Sequence, residues 1–226
     1  MAIVIDGNNT PTAGGVGYGD GTELAFTTVG TSGQLLQSNG ASAPSWVTAS
    51  AGAVTFISSV TASSSATVAF TSIAATYSMY MITFSRVIPA TNNVRMRIRT
   101  STDNGATYDS GASDYRYALQ SFGSDTTNFS TGSNGEAYAE MQATSLTSTV
   151  TEGGVSGVMY LCNPSSSAGD TLYFWQTAHQ NTSGVLAITS GAGATQKTAD
   201  VDAIQFFMGS GNIASGTFRL YGIANS

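Results

Sequence analysis

The chain runs to 226 residues, only 9% of them charged against roughly 25% in an ordinary soluble domain, and its formal net charge is −6. With 26 glycines, four prolines and 41% apolar residues it can build a strand-rich core and does not read as a disordered tail. The negative balance, with nothing basic before Arg86, excludes a nucleic-acid binder, and the single cysteine, Cys162, excludes an internal disulfide and a Cys-rich metal site.

The opening "MAIVIDGNN" has neither the charged leader nor the long apolar stretch of a secretory signal, and no run nears the ~18 apolar residues of a membrane helix. The expectation is a product made in the cytosol that stays there or leaves by lysis, with no membrane partner. Residues 1–52 contain ten glycines, three acids and no base, and after "IVI" they show no alternation of strand length. They read as an extended, mostly irregular N-terminal arm. Its large apolar side chains are few, chiefly Val16, Tyr18, Leu24, Phe26, Val29, Leu35, Leu36, Trp46 and Val47. So few cannot offset the conformational entropy of some fifty ordered residues, and the arm is expected to take its shape against other chains.

From residue 53 the pattern changes to short apolar-alternating runs separated by Gly, Ser, Asn and Asp. Strands are predicted near 54–60, 66–71, 78–87, 93–101, 114–122, 136–142, 154–162, 170–179, 185–190, 201–208 and 215–223. With no convincing helix, residues 53–226 read as an all-β domain, an antiparallel β-sandwich or jelly roll. Val94, Met96 and Ile98 alternate with Arg95, Arg97 and Arg99, and Ala137, Ala139 and Met141 with Glu136, Tyr138 and Glu140, which puts the core on the apolar side of each run. Asn104-Gly105 is the dipeptide of a tight hairpin turn. A Ca²⁺ loop using Asp103 and Asp109 is the sharper alternative, but it lacks the regular acidic ligands of known loops.

Catalytic constellations are scarce. His179, the one histidine, falls near a predicted strand end and reads as a surface or edge residue. "GAGATQKT", 191–198, nearly matches a phosphate-binding loop, but Gln196 replaces its second glycine and no helix follows, so it reads as a solvated hairpin loop. Glu136 and Glu140, placed on one strand, would lie about 13 Å apart, beyond the ~5–9.5 Å of paired glycosidase carboxylates. The expectation is a protein that is not an enzyme and holds no cofactor or metal. Arg95, Arg97 and Arg99, repeated along one strand face, would pair with Glu136 and Glu140, or face outward as a subunit interface or anion contact.

The segment "PTAGGVGYGDGTELAFTTVGTSGQLLQSNGASAPSWV", 11–47, resembles one that recurs near the N-terminus of bacteriophage tail-fibre and related virion proteins, through "GYGDG", "GTSGQLLQSNG" and "APSW". "SGTFRLYGI" and "STDNGATYDSGASDYRY" are similar, more loosely, to strands of their terminal knobs. The resemblance implies a homotrimer in the virion, joined by its arm to capsid, tail or fibre proteins, with a β knob facing outward. Tyr18, Phe26, Val29, Leu35, Leu36, Pro44 and Trp46 would then be the anchoring or trimer contacts. A rival expectation is a receptor-binding module that stacks host glycan on exposed aromatics such as Tyr115, Tyr117 and Trp175.

Overall fold

The computed structural model describes residues 13–49 and 52–224, so "MAIVIDGNN" and the first two residues of the fibre-like motif lie outside the described residues. The chain divides into two units, Met1–Ala51 and Gly52–Ser226. Where the sequence predicts an irregular arm, the first unit forms two hairpins: β1 (Gly17–Gly19) pairs with β2 (Leu24–Phe26), and β3 (Gln34–Asn39) with β4 (Ser42–Thr48). Turn chemistry explains them. Asp20 Oδ1 accepts hydrogen bonds from the backbone N–H groups of Thr22 and Glu23, each at 2.8 Å, and Gly40 takes φ +69° after Asn39. The strands are too short and too polar to alternate visibly.

The second unit is all-β, as its alternation predicts. Its strands are β5 (Val54–Ser65), β6 (Thr67–Phe70), β7 (Met79–Pro89), β8 (Met96–Ser101), β9 (Tyr115–Gly123), β10 (Asn128–Glu136), β11 (Ala139–Glu140), β12 (Val155–Cys162), β13 (Leu172–Gln180), β14 (Leu186–Thr195), β15 (Ala203–Met208) and β16 (Ile213–Ile223). Eight make one antiparallel sheet in the order β10-β9-β14-β13-β12-β7-β16-β5, and four a second in the order β11-β8-β15-β6. The chain changes sheet at every connection except β9 to β10, β12 to β13 and β13 to β14, which makes the unit a β-sandwich.

The core sits between these sheets. Phe84 and Phe218, cross-strand neighbours on β7 and β16, meet Phe206 of β15 with ring centroids 6.1 and 5.1 Å away. On β13 and β14 the inward rings of Tyr173 and Trp175 lie against Gly193 and Gly191, where an added Cβ would come within 2.5 Å and 2.4 Å of them. Those glycines belong to "GAGATQKT", whose first five residues are therefore strand, not loop: flat rings take the space that side chains would fill.

Three other expectations change. β10, "NFSTGSNGE", is an edge strand with too little apolar content to be predicted. Glu136 ends β10 and Glu140 ends β11, in different sheets, so the one-strand spacing between them does not exist. Asn104 and Gly105 do take positive φ, +60° and +82°, but their turn joins β8 to β9, which belong to different sheets and form no hairpin.

Because Phe206 closes the interlayer contact, Phe206→Ala should destabilise the unit by about 3–5 kcal/mol. Urea unfolding followed by tryptophan fluorescence measures this; a cost under about 1 kcal/mol would mean that the layers do not depend on it.

Candidate interaction surfaces

Alternation along β8 turns Met96 and Ile98 into the core and leaves Arg97 and Arg99 on the outer face of the four-stranded sheet. All three arginines of this run find partners within the chain. Arg95 Nη1 lies 2.5 Å from Glu140 Oε2, while Arg97 donates to Glu140 Oε1 through Nη2 at 3.0 Å and Nε at 3.2 Å. Arg97 also covers the Tyr138 ring at 3.8 Å, and Arg99 donates to Ala137 O and lies 4.9 Å from the centroid of Phe207. Glu140 is nearly buried between two guanidiniums, which is the cross-strand pairing among the sequence alternatives. Beside it is a polar hollow of about 330 Å³ that includes Asn93 and Ser210. Glu136 takes no part in that pairing and sits opposite Tyr115 on β9.

The three aromatics predicted as exposed glycan contacts are buried. Trp175 donates from Nε1 to Met141 O at 2.9 Å, and Tyr115 OH accepts from Thr100 N at 2.7 Å, each a bond from the large sheet to the opposite layer. Burial pushes the Tyr115 phenol up to about 12. Tyr117 lies inward as well, so none of the three offers a ring face to a sugar. Both parities of "LYFWQTAHQ" are aromatic or apolar, so the sequence cannot say which side faces in. The signal that does is in the neighbouring strand, where Gly191 and Gly193 mark the side on which Trp175 and Tyr173 need room.

The outward parity carries the rings that sequence reasoning missed. Phe56, Tyr221, Met81, Tyr160 and Phe174 are register partners across five adjacent strands, with Tyr160 and Phe174 stacked at 4.8 Å. The same row then drops to Ala192, Ala118 and Gly132 on β14, β9 and β10. Hollows of about 640 Å³ over Ala118 and Gly132, and about 290 Å³ over Ala192 and Arg116, mark this lower ground.

In the first unit, Trp46 packs over Gly30, where an added Cβ would approach its ring to 2.5 Å, and donates from Nε1 to Thr28 O at 2.7 Å. Phe26 lies over Gly17, and Tyr18, Phe26 and Pro44 are half-buried. Leu35, Leu36 and Val29 are exposed, at 58%, 41% and 57%. Thr27 is the one buried residue of this unit among those described.

The other singled-out groups have structural partners. Asp103 accepts from Ser101 Oγ and from Thr107 N and Oγ1, which holds its carboxyl down at about 2, while Asp109 Oδ1 takes Lys197 Nζ at 2.6 Å. The two carboxylates thus serve separate contacts instead of a common Ca²⁺ loop. Cys162 is half-buried on β12, where desolvation raises its thiol pKa. His179 is buried on the inner face of β13, not at an edge; its Nε2 is hydrogen bonded with Thr144 Oγ1 at 2.7 Å, and Nδ1 has no partner among the described residues.

Burial lowers the His179 pKa from 6.5 to about 4, so the folded chain binds this proton less readily than the unfolded one. Its contribution is complete above pH 6.5 and falls away as the pH drops to about 4, by roughly 3 kcal/mol in all. Urea titrations across that window should show the loss, and His179→Gln should flatten it. An equal slope in both proteins would refute this assignment.

Compared with known proteins, the chain matches no family model, no curated protein and no solved structure.

Proposed function

We propose that this chain is a non-enzymatic structural protein of a bacteriophage particle: a short homotrimeric fibre with a jelly-roll-like knob, held to the virion by its first unit as a tail fibre or capsid decoration. The observation that carries the reading is that the described residues of the first unit form no core. Two-stranded hairpins are marginal in water by themselves, and here four large aliphatic side chains, Val16, Val29, Leu35 and Leu36, stand exposed, with Thr27 the one buried residue among those described. Burial against sister chains or another particle protein supplies the missing apolar area. The likeness of residues 11–47 to virion-protein arms supports the same reading.

The roles within the arm differ from residue to residue. Trp46, Phe26 and Gly30 give each hairpin its shape, while Leu35 and Leu36, on the β3 strand of a two-stranded ribbon, meet the partner. The glycan-receptor alternative lacks the three aromatic residues first assigned to it, all of which are buried.

Replacing both leucines, Leu35→Ser with Leu36→Ser, should leave the melting temperature of the second unit unchanged and lower incorporation into particles by at least about tenfold. Quantitative blotting of purified particles reads the effect. Wild-type incorporation of the double variant would overturn the anchor.

A further inference from the structure

We infer that the outward face of the eight-stranded sheet binds a second copy of this chain, the ridge of one copy seated in the trough of another. The inference takes the particle reading as its setting and adds the surface through which the knobs meet. Among the described residues of the second unit, nine large hydrophobic side chains are exposed, and only Val150 of these lies outside the strands of this sheet. Isolated apolar residues on a surface mean little, but eight on one sheet make a patch of the kind that marks an interaction site.

Relief, charge and size identify the occupant. On the relief side, one row of the face rises as a ridge of Phe56, Tyr221, Met81, Tyr160 and Phe174 and falls to a trough at Ala192, Ala118 and Gly132, which the exposed Ile188 and Phe122 bound four residues farther along β14 and β9. A surface with matched high and low ground side by side is complementary to itself, which is what contact between identical copies requires. Leu172, across from Ala194 in the next row, continues the apolar ground at the boundary of ridge and trough.

Charge points the same way. The chain carries a net −6, so two copies repel unless they meet where acids are missing. The eight strands contain one acidic residue, Glu136, opposite the inward-facing Tyr115 at the sheet's edge. On the outward face, Arg116 is already paired with Asp170, and the row beside the ridge and trough carries one charge, the exposed Arg219, and is otherwise uncharged through Gln176, Ser190 and Gln120. Eight strands spaced ~4.8 Å apart and about ten residues long give a face on the order of 1,200 Å². That is enough to hold the ~800 Å² per partner of a stable protein interface.

The test uses the purified full-length chain, with light scattering for mass and a melting curve for fold. Wild type should have the mass of two or more chains. Phe174→Asp, which puts a charge on the ridge, and Ala118→Trp, which fills the trough, should each give the mass of one chain with an unchanged melting temperature. The double variant Leu35→Ser with Leu36→Ser should keep the wild-type mass. A single-chain mass for wild type, or wild-type mass for Phe174→Asp, overturns the inference. Dissociation by the leucine pair alone also overturns it and assigns association to the first unit, an outcome that leaves the particle reading standing, since incorporation into particles decides that separately.

Discussion

The second unit depends on aromatic contact between two unequal layers. Phe206 reaches from the four-stranded sheet to Phe84 and Phe218 of the eight-stranded one, and the polar ends of Trp175 and Tyr115 bond across the same gap, to Met141 O and Thr100 N. Ring burial supplies area, and the two hydrogen bonds fix where each layer sits over the other. This arrangement sets the glycines of β14. Rings as large as Trp175 and Tyr173 fit only where the adjacent strand gives up its side chains, at Gly191 and Gly193. A loop-like composition in "GAGAT" is thus a consequence of core packing.

That dependence explains what could be read in the sequence. Strands with one apolar parity, such as β8 with Met96 and Ile98 inward, are predicted in place, and ten other strands of the second unit overlap a predicted span, although 54–60 and 185–190 each stop five residues short of the ends of β5 and β14 and 136–142 holds only the two residues of β11 beside the end of β10. β10 is missed because an edge strand needs little apolar surface, and the hairpins of the first unit because three register pairs in one and five, interrupted by a shift, in the other give no clear period to detect. The site residues fail for a different reason. In β13 every side chain from Leu172 to Trp175 is apolar or aromatic, so both faces look like core, and the choice between Trp175 in and Phe174 out rests on Gly191, sixteen residues along the chain and directly across in the adjacent strand, not on the strand itself. His179 shares that strand and that parity, which is why a residue expected at an edge is buried instead.

The treatment of charge divides the two outer faces. On the small sheet, Arg95, Arg97 and Arg99 are satisfied by Glu140, Tyr138, Phe207 and a backbone carbonyl, so that face holds its polar groups in internal pairs. Such a surface gains little from a partner, since any contact would have to match groups already matched. The large sheet does the reverse: Phe174, Phe56 and Leu172 stay exposed and acids are kept away.

A chain with so few charged residues must choose where solubility comes from. Leaving the larger of its two outer faces without acids is costly for a chain that remains alone, because exposed aromatic rows invite association. The same composition is consistent in an assembly, where Leu35 and Leu36 of the first unit and the ridge of the second are both covered and the residual charge lies on what stays in water. Under the proposed reading, low charge, coreless hairpins and an acid-free sheet face express one condition: burial completed against other chains.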